Sequence, residues 1–407
     1  MGSEQAVTTA TPASPGKSFV PGFYFREETA EPAFRDAATA VPVFLYAGPG
    51  NLSDDPAIVE LKSFALFTKM SGEDAHLRQS FFASAVKGYF ENGGARCFIA
   101  SLGTGAADAI KEKVDKVINA IPVCTLMCVP RDMDAFDLQS ASDTWSAVLA
   151  ACEASRRVFA LIDLPKDPAE AKGLLEHLQN TAGARDALGY GAAYWPPVEV
   201  EGGHVVLPCG MVAAAIEKTD RNRGVWKAPA NVVLANVYNT TSDVTKVTAL
   251  FENEGNLGVN AIRVFPGRGV KVWGCRTLVA KQDKNRSFVQ SSRMLSYIEN
   301  NLQRLSRFAV FEPSNEITWV KLHNIIHAWL HGLWLKGGLA GATEKEAFRV
   351  LVGRDESMTD ADILKGELKA DIAFALQQPL QFINLQIRMI GDELTVASPS
   401  NAGGASQ

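Results

Sequence analysis

No stretch of this 407-residue chain approaches the roughly 18 uninterrupted apolar residues that a membrane-spanning helix requires. The best runs, Ala37–Gly48 and Ile118–Val129, are interrupted by Pro42 and Pro122, so no direct membrane insertion is expected. The opening MGSEQAVTTATPASPGK has no basic segment leading into an apolar one. No cleaved secretion signal is expected, and the chain reads as one made in the cytoplasm. An excess of one charge sign is also lacking: 40 Lys and Arg stand against 45 Asp and Glu, a net −5 that gives no broad basic surface for nucleic acid. With 47% hydrophobic and 21% charged residues, wholesale disorder is excluded. The six cysteines (Cys97, Cys124, Cys128, Cys152, Cys209, Cys275) show no CxxC spacing, and buried reduced thiols are the expectation. Cys124 and Cys128 share a strand-like run, where residues four apart are separated by about 13 Å, too far to hold one metal.

Catalytic signatures are as scarce. Neither G-x-S-x-G nor G-x-x-x-x-G-K-[ST] occurs. Gly103-Thr104-Gly105-Ala106-Ala107-Asp108 follows the apolar run Cys97–Leu102 and imitates a dinucleotide fingerprint. Asp108, however, replaces the small third residue and would set a carboxylate beside a pyrophosphate. Asp132, Asp134 and Asp137 cluster after a strand end without a partner base or nucleophile, and read as a solvated loop. The strongest chemical cue is His323, His327 and His331, three of six histidines, at i, i+4 and i+8 on one helix. His323 and His327 could share a zinc ion. The third lies about 12 Å along the axis from the first, against a Zn–N bond of about 2.1 Å. Asn324 and Ala328 follow the first two, so no HExxH base is built in. A metal-dependent enzyme using the His323/His327 pair is the competing reading. A packing or protein-contact role for the stripe is favoured, and no cofactor is expected.

What the chain does have is strand and helix in alternation. Apolar runs Val41–Ala47, Cys97–Leu102, Val123–Val129, Val158–Leu164 and Ala187–Tyr194 read as strands. Helices are expected near Ala75–Glu91, Asp108–Asn119, Asp143–Arg157 and Pro168–Ala182, which implies a parallel sheet covered on both faces. Ala261–Phe265 and Val270–Cys275 form a hairpin through Pro266-Gly267-Arg268-Gly269. In the last third, Leu295, Ile298, Leu302 and Leu305 mark one helix, Phe308–Phe311 a short strand, and Trp319, Leu322, Ile326, Leu330 and Leu333 a second helix. Thr343 with Glu346, and Thr359 with Asp362, are capping boxes. Near the ends, Phe23-Tyr24-Phe25 reads as an aromatic strand, and Ile383, Leu385, Ile387 and Met389 alternate with polar residues. Residues 1–17 and 393–407 read as flexible tails.

Taken together, Asn92–Cys97, Thr219–Asn231, Phe265–Gly269, Val272–Leu278, Phe311–Glu316, Leu333-Trp334, Gly341–Thr343 and Glu346–Phe348 resemble contractile tail sheath proteins of phages and phage-tail-like injection systems. The resemblance covers about residues 18–392. It implies an α/β fold: a parallel-sheet domain of subtilisin-like topology without a protease triad, over residues 41–284. Added to it would be an α+β assembly domain built from the N-terminal linker strand, 18–40, and the C-terminal third, 285–392. It further implies a helical homo-oligomer, in stacked hexameric rings, around an inner tube protein, with baseplate and tail terminator or cap proteins as further partners. Neighbours would exchange the strands carrying Phe23, Tyr24 and Phe25 and Ile383, Leu385, Ile387 and Met389. By family analogy, the helix bearing Lys321, His323, His327, His331 and Lys336 would face the tube. A specialised sheath-like baseplate or cap subunit is a further alternative. Two features depart from the family pattern: the longer N-terminal tail and the three-histidine stripe.

Overall fold

Strand β1 (Pro42–Tyr46) shows why the chain builds a sheet covered on both sides. Its side chains alternate between two buried cores, Phe44 and Tyr46 entering one and Val43 and Leu45 the other. The computed structural model describes residues 34–46, 58–72, 77, 80–102, 107–132, 136–181, 187–247, 250–251, 258–279 and 285–377, and the backbone of 382–390 and 393–397. The chain divides into two units, Met1–Asp36 and Ala37–Gln407. Of the first only residues 34–36 are described, and all that follows concerns the second. Phe23, Tyr24 and Phe25 lie outside the described residues.

In chain order, β1 is followed by β2 (Ile58–Leu61), α1 (Phe64–Met70), α2 (Ser80–Glu91), β3 (Cys97–Ser101), α3 (Ala107–Ala120), β4 (Leu126–Cys128) and α4 (Leu138–Ser155). Next come β5 (Phe159–Asp163), α5 (Pro168–Asn180), β6 (Gly191–Trp195), β7 (Val198–Val200), β8 (Val205–Val206), α6 (Cys209–Arg223), β9 (Val232–Val233) and β10 (Val237–Thr240). The hairpin β11 (Val259–Phe265) and β12 (Gly269–Trp273) leads to α7 (Val289–Ser306), α8 (Glu316–Leu335), α9 (Glu344–Ala347) and β13 (Phe348–Leu351). The last elements are α10 (Asp360–Leu364), β14 (Leu368–Ala375), β15 (Phe382–Ile390) and β16 (Glu393–Ala397).

Among the described residues, the main sheet has nine strands in the order β2-β3-β1-β4-β5-β6-β11-β12-β9. From β3 to β11 every pairing is parallel, while β2, β12 and β9 add antiparallel edges. One face carries α2 and α6, whose Phe82, Val86, Tyr89, Val212 and Ile216 pack on Phe44, Leu126, Leu161 and Tyr194. The other carries α3, α4 and α5 through Val117, Trp145, Val148, Leu174 and Leu178. Local signals set the helix ends. Asp137 caps α4 by accepting from the Ser140 amide at 2.7 Å, and Asp167 caps α5, with Pro168 filling the first turn. α2 and α6 cross so closely that a Cβ on Gly210 would lie 1.9 Å from the Ala85 carbonyl oxygen, so only glycine fits there.

A three-stranded sheet, β10-β7-β8, and an antiparallel four-stranded sheet, β13-β14-β15-β16, complete the strands described. The second of these borders a third core, in which α7 (Leu295, Ile298, Leu302) and α8 (Leu322, Ile326, Leu330) pack on Phe348, Ile372 and Phe374. No described helix is long and apolar enough to cross a membrane.

Several local expectations are corrected. Phe308–Phe311 is not a strand: Arg307–Phe311 continues α7 as a 3-10 turn, because no residue breaks the helix and Ala309 is drawn into the third core. Leu188–Tyr190 is likewise a 3-10 turn ahead of β6, and the fourth strand is confined to Leu126–Cys128. Among described residues the α2 helix starts at Ser80, later than Ala75. β16 occupies the start of the stretch read as a C-terminal tail.

Candidate assembly surfaces

The period-two segment is strand β15, placed between β14 and β16 of its own chain. Its register sets Ile383, Leu385, Ile387 and Met389 opposite Phe374, Ile372, Ala370 and Leu368, the four β14 residues buried in the third core. In the single chain both β15 edges are thus paired internally, and β13 and β16 form the edges of the sheet.

The three histidines do lie along one face of α8. His323 stacks on His327 and His327 on His331, with centroids 5.6 and 6.3 Å apart and interplanar angles of 25° and 9°. The face is turned toward the chain's own α9 and β13. His327 Nε2 lies 3.0 Å from Glu344 Oε1, His331 Nε2 lies 3.5 Å from Glu344 Oε2, and the His327 ring meets Phe348 edge-on. Near-parallel rings do not converge their lone pairs on one point. Among the described residues no group of three or more His, Cys, Asp or Glu is placed to hold a metal ion. Lys321, over the Phe308 ring at 4.6 Å, and Lys336, at the C-cap, are exposed.

Sequence reading missed the outward side of α8. Ile317, Val320 and Leu335 are exposed along it, at 79%, 58% and 68%, and Phe311 just ahead of the helix is exposed at 88%. The available signal was that α8 is apolar on nearly every side, which in a soluble fold calls for a second cover. Also missed was the polar side of α7. Arg293 donates to both Asp220 oxygens, at 3.1 and 2.5 Å, and to the Thr39 carbonyl at 2.7 Å, with pair exposures of only 3% and 4%. Asn301 accepts from the Ala37 amide at 2.8 Å. Glu299 lies between Arg286 (3.7 Å) and Arg156 (3.5 Å), and Arg286 covers the Tyr190 ring at 4.0 Å. Burial pushes the Glu299 carboxyl up, and the two arginines pull it back. α7 is therefore a joint, with its apolar side in the third core and its polar side locked onto α6, α4 and the segment entering β1.

Among the described residues, no catalytic machinery assembles from these parts. Asp163, at the end of β5, accepts from the Cys209 amide at 2.9 Å, and burial pushes its carboxyl up to about 7. The same burial raises the Cys209 thiol well above its usual range, which disfavours the nucleophilic thiolate. A groove of about 530 Å³ has lining charges matched within the chain: Glu60 by Arg96 at 3.6 Å and Glu217 by Arg221 at 3.4 Å, with Tyr89 also donating to Glu217 at 2.5 Å. Asp137 is a helix cap, and residues 103–106 and Asp134 lie outside the described residues.

The chain is similar to solved structures of contractile particles. A chain in the anti-feeding prophage baseplate in its contracted state is 30% identical, with a TM-score of 0.73 over 90% of this chain and 97% of that one. One in the sheath complex of PVC, an extracellular contractile injection system, also in the contracted state, is 26% identical, with a TM-score of 0.71 over 91% and 97%. One in the anti-feeding prophage helical sheath in its contracted state is 29% identical, with a TM-score of 0.67 over 90% and 98%. No protein-family profile and no curated sequence matches it at a significant level. The mixed α/β fold with its large, mostly parallel sheet is that of sheath proteins, the likeness runs nearly end to end on both sides, and the chain belongs to the contractile tail sheath family.

Proposed function

We propose that this structural sheath subunit polymerises helically, in stacked hexameric rings, around an inner tube and contracts to drive the tube through a target envelope. The observation that carries the reading is the near full-length likeness to chains of contracted sheath assemblies. Such an assembly stores free energy in an extended lattice and releases it as subunits rotate as rigid bodies and gain interface area and charge pairs. The α7 joint supports rigid-body motion, because its buried ion pairs connect the main sheet to the third core within one subunit. Baseplate and terminator or cap proteins bound the polymer at its ends. Assembly occurs in the cytoplasm of the producing bacterium, and the finished particle can be released. The relatives are structural proteins, and the role needs no enzymatic step.

Connectivity comes from strand exchange. The C-terminal hairpin with Ile383, Leu385, Ile387 and Met389 adds to a neighbour's sheet and reproduces there the pairing that β15 makes with β14 in a single chain, and the segment with Phe23, Tyr24 and Phe25 adds to a neighbour's sheet as well. The outward face of α8, with Lys321 and Lys336, meets the tube, and the histidines border it. A chain ending after Gln377 is expected to remain a folded monomer, by far-UV circular dichroism, that forms no long cylinders in electron micrographs. Cylinders of normal length from that truncation would end the exchange reading. Two of the similar chains come from baseplate structures, which favours a second reading as a single-ring subunit. Copy number per particle separates the two.

A further inference from the structure

The chain is fastened before it becomes β1. Among the described residues, Phe34, Arg35 and Asp36 are exposed and Ala37 is the first buried one, at the point where the chain divides into its two units. Residues 37–41 form no strand, yet their backbone is held at three successive places. The Ala37 amide donates to Asn301 Oδ1 at 2.8 Å, the Thr39 carbonyl accepts from Arg293 at 2.7 Å, and the Val41 amide donates to Thr125 Oγ1 at 2.9 Å. The first two holds come from α7, and both are braced. Asn301 is fully buried, and its own amide nitrogen donates to the Tyr297 carbonyl at 2.8 Å, which leaves its oxygen for Ala37. Arg293 is tied at the same time to both Asp220 oxygens of α6.

β1 is an interior strand between β3 and β4, so drawing it out would split the main sheet. A pull arriving along the chain from residues before Ala37 meets Asn301 and Arg293 first, and buried hydrogen-bonding groups are costly to leave unpaired. We propose that Asn301 and Arg293 clamp residues 37–39, making Asp36–Ala37 the pivot of the N-terminal segment and passing its pull to α7 rather than to β1. α7 is suited to receive it, because its apolar side lies in the third core and Arg293 reaches α6. That a neighbour exerts the pull rests on the strand-exchange reading, whereas the clamp is a property of the single chain.

The test is hydrogen–deuterium exchange of the purified full chain, followed by overlapping peptides across residues 18–46, both as monomer and as assembled cylinders. In the monomer the Ala37 amide is expected to be protected. Asn301→Leu, similar in size but without an acceptor, should speed its exchange by roughly tenfold or more while Val43–Tyr46 keep wild-type rates. Amides of β5 report the whole fold in the same sample, so a destabilised variant is read as a ratio to them, and Asn301→Ala is read in the same way. An Ala37 amide that exchanges freely in wild type, or as slowly in both variants as in wild type, would overturn the clamp. In wild-type cylinders residues 18–33 should gain protection while 37–46 keep their monomer rates, so that the change stops at Asp36–Ala37. Faster exchange spreading through 37–46 on assembly would overturn the pivot. Cylinders in which 18–33 exchange as in the monomer, or a wild type that forms none, overturn the exchange reading and the pull with it, and the clamp is then decided by the monomer result alone.

Discussion

α7 and α8 are successive helices of similar length on one core, yet they treat water in opposite ways. α7 takes charged groups out of water and pairs them inside the chain: Arg293 with Asp220, and Glu299 with Arg286 and Arg156. α8 leaves Ile317, Val320 and Leu335 exposed, without a cover among the described residues. A buried ion pair adds little net stability but makes separation of its two sides costly, which suits an internal joint. An apolar face without a cover suits a surface completed by another molecule. On the proposed reading the two helices divide the subunit's tasks, one transmitting motion and the other receiving a partner.

The contrast breaks first at Arg293. Arg293→Ala strands Asp220 in the interior and is expected to cost about 3–5 kcal/mol, read from urea unfolding midpoints. A loss below about 1 kcal/mol would mean that α7 is not a joint. Asp163 supplies the control for a buried acid without a cationic partner. Its carboxyl is raised from 3.8 to about 7 by burial, so the fold favours its protonated form. That contribution is complete below about pH 4 and is lost as pH rises through about 7, at most about 4 kcal/mol in total. Asp163→Asn should remove this part of the pH slope, so its advantage over wild type grows between about pH 5 and about pH 8. Equal slopes for the two proteins would refute the assignment. The smallest effect on stability is expected on α8: Ile317→Ser and Val320→Ser should shift unfolding by no more than about 0.5 kcal/mol. They should nonetheless reduce co-sedimentation with the inner-tube protein. A large loss of stability with unchanged co-sedimentation would reverse the comparison.

Much of the architecture was legible because it is written in short-range patterns. The alternating apolar runs and helices became the parallel sheet, and the Thr343/Glu346 and Thr359/Asp362 boxes cap α9 and α10. Phe308–Phe311 was misread because four apolar residues carry no period, and only packing on the third core decides between strand and turn. The surfaces were harder to read for a related reason. His327 and Glu344 are separated by 17 positions and meet only after the chain turns back at Gly337-Gly338. Likewise, Arg293 and Asp220 are 73 positions apart, so spacing along α7 shows polar residues without showing what they hold.

The most direct test of the sheath role is negative-stain electron microscopy of the purified full chain, alone and beside the matching inner-tube protein. Hollow helical cylinders are the expected result. Monodisperse monomers or dimers under every condition, with the tube protein present, would contradict it.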